Sequence, residues 1–366
     1  MNEKKYIPAF TGIRALCAYG IFFYHVDLFS KDTQPGLYTL VDQFYSFIPF
    51  FFVISGFVIF YTYYRERPFT KTELYNYFVS RIARIFPILI LINTAVFLLS
   101  YRENLYSAGQ TIKLYFLNIT LLKGFSSTYL LTGIGPSWTN TVEEVFYLLA
   151  PLVFIAVRKK YFLLRFVLLF YGLGFLISFL FIRNPWQGLF SSYAFTAYFT
   201  FFGRVFEFAT GIYLAMLYMN LCKNKFLEKY GAGTLAAGLV LLAVCFASQY
   251  LIATQNNVAH ANETWAGILI NNYLFPVSIF LMLYHLLYHG SVFKRFLSAP
   301  VMVKLGAATY SFYLLHTTFV LSYIYKFISK NVLVAFISMI IISYIFYRLI
   351  EQPLAKLIKR KFFRKA

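Results

Sequence analysis

Charged residues are scarce in this sequence, and acidic residues number 13 against 33 Lys and Arg. Only 13% of the 366 residues carry charge, whereas soluble domains have roughly 25%. Hydrophobic residues make up 60% and aromatic residues 22%, and the mean hydropathy is +0.66. This composition excludes a soluble globular protein and predicts an integral membrane protein. The aromatic side chains are too many for interface belts alone, so we expect them in helix contacts and on the lipid-facing surface.

Cysteine is also rare. Cys17, Cys222 and Cys245 have no spacing typical of a metal site or a disulfide, and each lies in or beside an apolar segment. We therefore interpret them as small buried hydrophobic residues and predict no metal site. The sequence has no internal repeat and no soluble domain, so we treat residues 1–366 as one membrane domain. The net charge of +20 comes with no nucleic-acid-binding motif, and we predict no such partner.

Ten apolar runs are long enough to cross a bilayer. They lie at residues 9–30, 44–64, 85–101, 141–157, 161–182, 194–219, 231–253, 267–289, 301–325 and 331–350. An eleventh run, 111–122, is short and contains Lys113 and Asn118, so we interpret it as an outer-face or partly inserted helix. The predicted fold is an all-α bundle of about ten transmembrane helices around a polar cavity, with both termini in the cytoplasm.

The basic residues support this orientation. With ten crossings and the N-terminus inside, 24 of the 33 Lys and Arg residues lie in inner segments and seven in outer segments, while Arg14 and Arg204 lie within spans. Short cytoplasmic loops carry such an excess of positive charge. The start of the chain has no small-residue cleavage site, which predicts an uncleaved signal anchor. The basic tail, 354–366, predicts contact with anionic lipid headgroups.

Arg14 and His25 lie inside the first apolar run. A helix turns about 100° per residue and rises about 1.5 Å, so these two residues share one stripe and lie about 16 Å apart along the axis. Lipid does not accept a cation and an imidazole, which must therefore face a bundle interior or a wet cavity. We predict a buried polar track along this helix.

A second polar segment, from Pro136 to Tyr147, opens the span at 141–157. Glu143 and Glu144 complement the helix dipole if the helix begins there, with Asn140 or Thr141 as its cap. Alternatively, Glu143 lies at the same membrane depth as His25, where a carboxylate sets the tautomer and basicity of the imidazole. Both interpretations fit the sequence.

Other ionisable residues have two interpretations each. Arg81 and Arg84 share a helix face at the predicted cytoplasmic boundary, where they either anchor the protein or bind phosphate. Arg204 and Glu207, three residues apart inside a span, predict an intrahelical ion pair. His316, in the middle of a span, is either a hydrogen-bonded structural residue or a catalytic one. No role is assigned to the other three histidines, His260, His285 and His289.

Taken in order, these segments resemble the membrane-bound acyltransferase-3 family. The resemblance covers nearly the whole chain and rests on seven motifs: Arg14 and His25 with ten residues between them, Phe51–Phe57 with Ser55, the Arg81–Arg84 segment, Trp138–Tyr147, Gly203–Gly211, Leu305–His316, and Glu351–Pro353. Each motif alone is weak evidence for the family, whereas seven motifs in the same order along the chain are specific to it. Thr139 and Asn140 stand where the family often has Leu and Ser.

The resemblance implies an acyl transfer from a coenzyme A thioester to a hydroxyl, often on a surface glycan. It implies that His25 is catalytic, that Arg14 is its partner in the motif, and that Glu143 is an essential carboxylate. Further candidates within the matched motifs are Ser55, Trp138, Arg204, Glu207 and His316. Many relatives add an extracytoplasmic hydrolase-like domain, which is not expected here because the chain ends at Ala366.

We therefore expect a bacterial cytoplasmic-membrane O-acyltransferase that uses acetyl-CoA and modifies a surface or lipid-linked glycan. The donor nucleotide is expected on Arg81 and Arg84, with its pantetheine arm passing Arg14 and its thioester at His25, a general base. Direct transfer and a transient acyl-histidine both fit the residues.

Two other classes compete with an enzyme. A transporter or flippase of a lipid-linked saccharide also needs polar residues inside a bundle, but inverted repeats, which would favour it, are not found. A membrane sensor or scaffold would leave Arg14, His25 and Glu143 unexplained.

Overall fold

The computed structural model describes residues 5–26, 28–157 and 161–364 of the chain. These residues form helices, and their only β pairing is an isolated antiparallel bridge between Ser126 and Leu189. The prediction of an all-α protein is therefore confirmed for the described part of the chain. The predictions that depend on residues 1–4, 158–160 and 365–366 lie outside it.

The α-helices are numbered in chain order. The first ten are α1 (Pro8–Tyr24), α2 (Pro35–Asp42), α3 (Ile48–Tyr63), α4 (Lys71–Arg102), α5 (Ala108–Ile119), α6 (Trp138–Ala156), α7 (Phe162–Phe181), α8 (Tyr193–Phe199), α9 (Phe201–Tyr218) and α10 (Lys225–Tyr230). The others are α11 (Thr234–Gln255), α12 (Trp265–Leu269), α13 (Phe275–Tyr288), α14 (Val292–Leu297), α15 (Pro300–Ala307), α16 (Thr309–Leu315), α17 (Phe319–Phe327), α18 (Val332–Phe346) and α19 (Gln352–Phe362). Short π-helices at Ile270–Leu274 and Tyr347–Glu351 interrupt the helical runs before α13 and α19.

Seven helical segments of the described chain are long and apolar enough to cross a membrane. They are Pro35–Tyr63, Lys71–Arg102, Gly135–Ala156, Phe162–Phe181, Lys225–Gln255, Trp265–Tyr288 and Val332–Phe362, and they correspond to seven of the ten predicted spans. The other three predicted spans differ in form. Helix α1 has 17 residues, the run at 194–219 is divided into α8 and α9, and the run at 301–325 is divided among α15, α16 and α17.

The chain packs as two compact units. The first contains the described residues of 1–64, 159–174 and 202–307, and the second those of 65–158, 175–201 and 308–366.

Glycines bring helices of the first unit into close contact. A Cβ added at Gly56 of α3 would overlap the carbonyl oxygen of Phe208 in α9, and one added at Gly211 would overlap that of Val53. Such mutual small-residue contacts let two backbones approach closely in a membrane protein. Gly306 of α15 approaches the backbone of α1 in the same way, so α1, which carries Arg14, is held tightly by its neighbour.

In the second unit, α4 and α6 run antiparallel. The rings of Phe69 and Phe154 lie 5.6 Å apart near one end, and the Tyr77 hydroxyl donates to the Tyr147 carbonyl at 2.8 Å further along. The eleventh apolar run forms α5, which folds back against the last turns of α4, where Thr94 and Tyr115 hydroxyls lie 3.0 Å apart. This packing explains how a short run with polar residues is accommodated.

Candidate active site

In the first unit, α1 carries Arg14 and ends just before His25. The Arg14 guanidinium lies over the ring of Phe51 in α3, 5.9 Å from its centroid, and the Arg14 side chain is half-buried. His25 follows the last residue of α1, and its backbone N–H donates to the carbonyls of Ile21 and Phe22. The His25 side chain is exposed, with its ring centroid 4.5 Å from that of Tyr24.

The first span is therefore shorter than the predicted run at 9–30. Because the helix ends at Tyr24, the His25 imidazole lies at the helix terminus and is not within a continuous helical stripe. An accessible imidazole at a helix end can meet a substrate that arrives from outside the helix bundle of its unit.

Ser55 belongs to the packing of α3 against α9. It is buried and directly precedes Gly56, whose hydrogen atoms face the α9 backbone. The neighbouring Phe52 ring stacks on Phe208 of α9 at 5.1 Å. The contact of α3 with α9 therefore accounts for the motif Phe51–Phe57. The Phe51 and Phe52 rings of this motif form cation–π contacts with Arg14 and Arg204, respectively.

Arg204 and Glu207 form the predicted ion pair. Arg204 Nε lies 3.2 Å from Glu207 Oε2, and both side chains have 0% exposure. Arg204 Nη1 also donates to Asn272 Oδ1 at 2.5 Å, and the guanidinium lies 5.3 Å from the centre of the Phe52 ring. Asn272, which lies in the π-helix at Ile270–Leu274, donates in turn to the Gly203 carbonyl. Arg204 thus ties three elements of the first unit together, which favours a structural role.

In the second unit, α6 begins earlier than predicted, at Trp138. Glu143 and Glu144 therefore lie in its second turn, and its first turn contains no acidic residue. The expectation that they open the helix, with Asn140 or Thr141 as the cap, is wrong, and complementing the dipole no longer explains both carboxylates. Trp138 is buried, with its ring centroid 5.0 Å from that of Phe199.

Arg81 is buried beside α6. Its guanidinium lies 5.6 Å from the centre of the Tyr147 ring and interacts electrostatically with the Glu144 carboxylate. Because α4 begins at Lys71, Arg81 lies ten residues, about 15 Å, from the start of the helix. Arg81 and Arg84 therefore lie within α4 and not at its start, and their position at the cytoplasmic boundary of the membrane remains a prediction.

Arg84 belongs to a polar cluster around Tyr310. The Tyr310 hydroxyl donates to the Ile85 carbonyl at 2.9 Å, and it interacts electrostatically with Arg84, Glu143 and Glu144. Glu351, which accepts a hydrogen bond from Ser311, also interacts with Tyr310. The fold of the second unit thus brings three predicted site motifs together around one hydroxyl.

Tyr310 and Glu351 were not predicted as site residues. Both lie within segments that carry the family resemblance, and this position is the sequence feature that could have identified them as site residues.

His316 directly follows α16 and is fully buried. Its Nδ1 lies 2.8 Å from the Tyr313 carbonyl, which can only accept a hydrogen bond, so Nδ1 carries a proton. The imidazole stacks on Phe312 at 5.9 Å. These contacts agree with the first of the two interpretations of His316, that of a hydrogen-bonded structural residue.

Lys123, which follows α5, is a buried cation. Its side chain has 0% exposure, and Nζ donates to the carbonyls of Thr132 and Ile134 at 2.6 and 2.7 Å. Burial lowers the pKa of the Lys123 ammonium to about 7. The contacts fix the segment just before α6, where Gly133 has φ +62°, and so position the helix that carries Glu143.

The described residues offer acid–base groups and cations for chemistry. Among them, no group of three or more His, Cys, Asp or Glu side chains is arranged to hold a metal ion. The histidine and carboxylates identified here suit proton transfer, and the arginines suit binding of an anionic ligand.

A comparison with protein families now identifies the chain. The profile of a family described as acyltransferase domain matches residues 7–348. The chain belongs to this family. The predicted family is thereby confirmed, as is the prediction of an enzyme that transfers acyl groups.

Curated relatives agree with this assignment. The O-acetyltransferase OatA of Staphylococcus aureus strain NCTC 8325 is 23% identical over 385 residues, and OatA of strain COL has the same identity. Each alignment covers 97% of this chain and 58% of the relative, so the chain spans little more than half the length of these relatives. No solved structure matches the chain.

Proposed function

We propose that this acyltransferase is an O-acetyltransferase of the bacterial cytoplasmic membrane. It transfers an acetyl group from cytoplasmic acetyl-CoA to a hydroxyl of a surface or lipid-linked glycan. The observation that carries the proposal is the family match over residues 7–348, together with relatives whose name is O-acetyltransferase. The exposed imidazole of His25 at the end of α1 supports it.

His25 is the general base of the proposed reaction. The imidazole removes the proton from the acceptor hydroxyl, whose oxygen attacks the thioester carbonyl carbon. The C–S bond breaks, and the imidazolium returns the proton to the coenzyme A thiolate. One histidine therefore completes the proton balance, and a base of this kind contributes about 10²–10⁴-fold to the rate.

The arginines are proposed to bind the donor. Arg84 is half-buried in the Tyr310 cluster, and a guanidinium is suited to phosphate because its planar fork donates two parallel hydrogen bonds. Arg14, which lies on the helix that ends just before His25, is a further proposed donor-binding residue. Glu143 remains the proposed essential carboxylate, and its partnership with His25 remains a prediction.

Both termini are proposed to face the cytoplasm across ten spans. In the second unit, Arg364 lies over the Tyr75 ring at 4.0 Å and exchanges two hydrogen bonds with Asn76, so the basic tail is next to the start of α4. In the first unit, Lys5 lies close enough to Lys294 for the two positive charges to repel each other. These contacts group basic segments that the orientation assigns to the inner side.

The test uses the purified full chain in detergent micelles with radiolabelled acetyl-CoA and a soluble oligosaccharide, penta-N-acetylchitopentaose. We expect label in the oligosaccharide and an equal release of free coenzyme A thiol. His25→Ala should lower the transfer rate at least 100-fold. His289→Ala, at the end of α13, is the matched histidine control and should keep wild-type activity. A His25→Ala protein that transfers within a few-fold of wild type would show that the base is wrong.

A further inference from the structure

His260 was assigned no role from the sequence, but the fold brings it close to the proposed catalytic histidine. The Tyr24 ring lies 5.5 Å from the His260 ring and 4.5 Å from the His25 ring, between centroids. These two distances place the imidazoles at most 10 Å apart within the first unit. His260 also lies 5.7 Å from the ring of Tyr45.

The backbone on both sides of His260 is held by one buried side chain. The Gln43 carboxamide donates to the Ala259 carbonyl at 3.2 Å and accepts from the Ala261 N–H at 3.1 Å. Gln43 has 0% exposure, so these bonds are protected from water. The Tyr45 hydroxyl accepts from the Asn262 N–H at 3.0 Å and adds a third attachment. Surface loops are ordinarily mobile, whereas these three hydrogen bonds hold the backbone on both sides of His260 in place.

The His260 side chain is oriented by a carboxylate. Nδ1 lies 3.3 Å from Glu263 Oε1, which also accepts the backbone N–H of His260 at 2.9 Å. The His260 side chain in turn accepts a hydrogen bond from the backbone N–H of Glu263, so in the neutral imidazole one ring nitrogen is an occupied acceptor and the other carries the proton. The side chains of His260 and Glu263 are 31% and 50% exposed, so a ligand can reach them.

The chemistry of the proposed reaction indicates what this pair binds. The proton of the acceptor hydroxyl leaves with the coenzyme A thiol through His25, so no second base is required. A ligand that presents several hydroxyl groups, such as a sugar, does require hydrogen-bond partners beside the reacting one. The carboxylate accepts hydrogen bonds from hydroxyls, the imidazole N–H donates one to a hydroxyl oxygen, and the adjacent Tyr24 ring offers an apolar surface to a sugar ring.

We infer that His260 and Glu263, with the ring of Tyr24, form an acceptor subsite that binds a sugar through hydroxyls next to the one acylated. Gln43 is the positioning residue of this subsite. The inference rests on the proposed function, because it concerns the acceptor of that reaction. It assigns acceptor recognition to the first unit, at the same helix end as His25.

The experiment measures separate KM values for penta-N-acetylchitopentaose and for acetyl-CoA. His260→Ala and Glu263→Gln should each raise the oligosaccharide KM about 5- to 10-fold, the loss expected for one hydrogen bond. Gln43→Ala should raise it similarly. The KM for acetyl-CoA and kcat should stay within twofold of wild type in all three. His289→Ala is the control, because His289 lies beyond the other end of the helical run Trp265–Tyr288, 24 residues and about 36 Å long.

Each outcome decides the inference. An unchanged oligosaccharide KM in both His260→Ala and Glu263→Gln would overturn it while leaving the proposed function intact. A fall in kcat with both KM values unchanged would also overturn it, since that pattern belongs to a residue acting in the transition state. If the wild-type protein transfers no label, the proposed function fails, and the inference fails with it. Glu263→Gln changes an exposed residue, so it tests the subsite even if His260→Ala does not fold.

Discussion

The buried ion pair of α9 allows a stringent test of the fold. Arg204 and Glu207 have 0% exposure, and the guanidinium also contacts Asn272 and the Phe52 ring. Removing one partner leaves an uncompensated charge in a low-dielectric interior, which costs about 3–5 kcal/mol. Glu207→Leu and Arg204→Leu should therefore each lower the free energy of unfolding by about that amount.

The double variant should behave differently from the sum of the single variants. With both charges absent, no ion is left uncompensated, and well-packed hydrophobic replacements of such pairs are often neutral or stabilising. The remaining loss is the charge-assisted hydrogen bond to Asn272, about 1.5–3 kcal/mol, because the Asn272 amide oxygen still accepts from the Asn271 amide at 3.2 Å. The double variant should thus be more stable than either single variant.

Unfolding of the purified protein by sodium dodecyl sulfate in mixed micelles, followed by tryptophan fluorescence, measures these differences. Arg183→Leu, which removes an exposed arginine, is the control and should change the unfolding free energy by less than about 0.5 kcal/mol. Unfolding free energies of the single variants within about 1 kcal/mol of the wild-type value would refute the reasoning. A double variant whose loss of unfolding free energy equals the sum of the two single losses would also refute it.

Three further predictions test packing, donor binding and the buried lysine. Gly211→Ala should lower the unfolding free energy by about 1–3 kcal/mol, because the added Cβ would overlap the Val53 carbonyl. Gly172→Ala, whose added Cβ meets nothing within 4 Å, should be neutral or stabilising in the same assay. Equal effects of the two substitutions would contradict the close contact between Gly211 and Val53. Arg84→Ala should weaken acetyl-CoA binding about tenfold by calorimetric titration, with partial recovery in Arg84→Lys; wild-type affinity would remove Arg84 from the donor site. Since the folded pKa of Lys123 is lowered to about 7, the unfolded chain binds more protons between pH 7 and about 10.4, and stability should rise with pH in that window. Lys123→Met should abolish this rise, measured as unfolding free energy against pH, and an unchanged pH dependence would contradict it.

Amino-acid order alone determined much of this protein. The apolar runs specified a helical membrane protein because only long apolar segments are stable in lipid. The i,i+3 spacing of Arg204 and Glu207 was enough to predict their ion pair, since the helix itself brings them together. The ordered motifs indicated the family, which the family match confirms.

Only the tertiary structure decided which distant residues meet. Hydropathy reports how apolar a segment is, but it does not report which neighbour a helix packs against or where along the helix the contact lies. The position of Arg81 next to an apolar run therefore predicts a boundary residue, whereas its contact with the Tyr147 ring is visible only in the structure. Lys123 had the appearance of an ordinary loop lysine because its burial depends on backbone carbonyls brought to it by the fold. His260 lies 235 residues after His25 in the chain, and only the attachment of its loop by Gln43 brings it beside Tyr24.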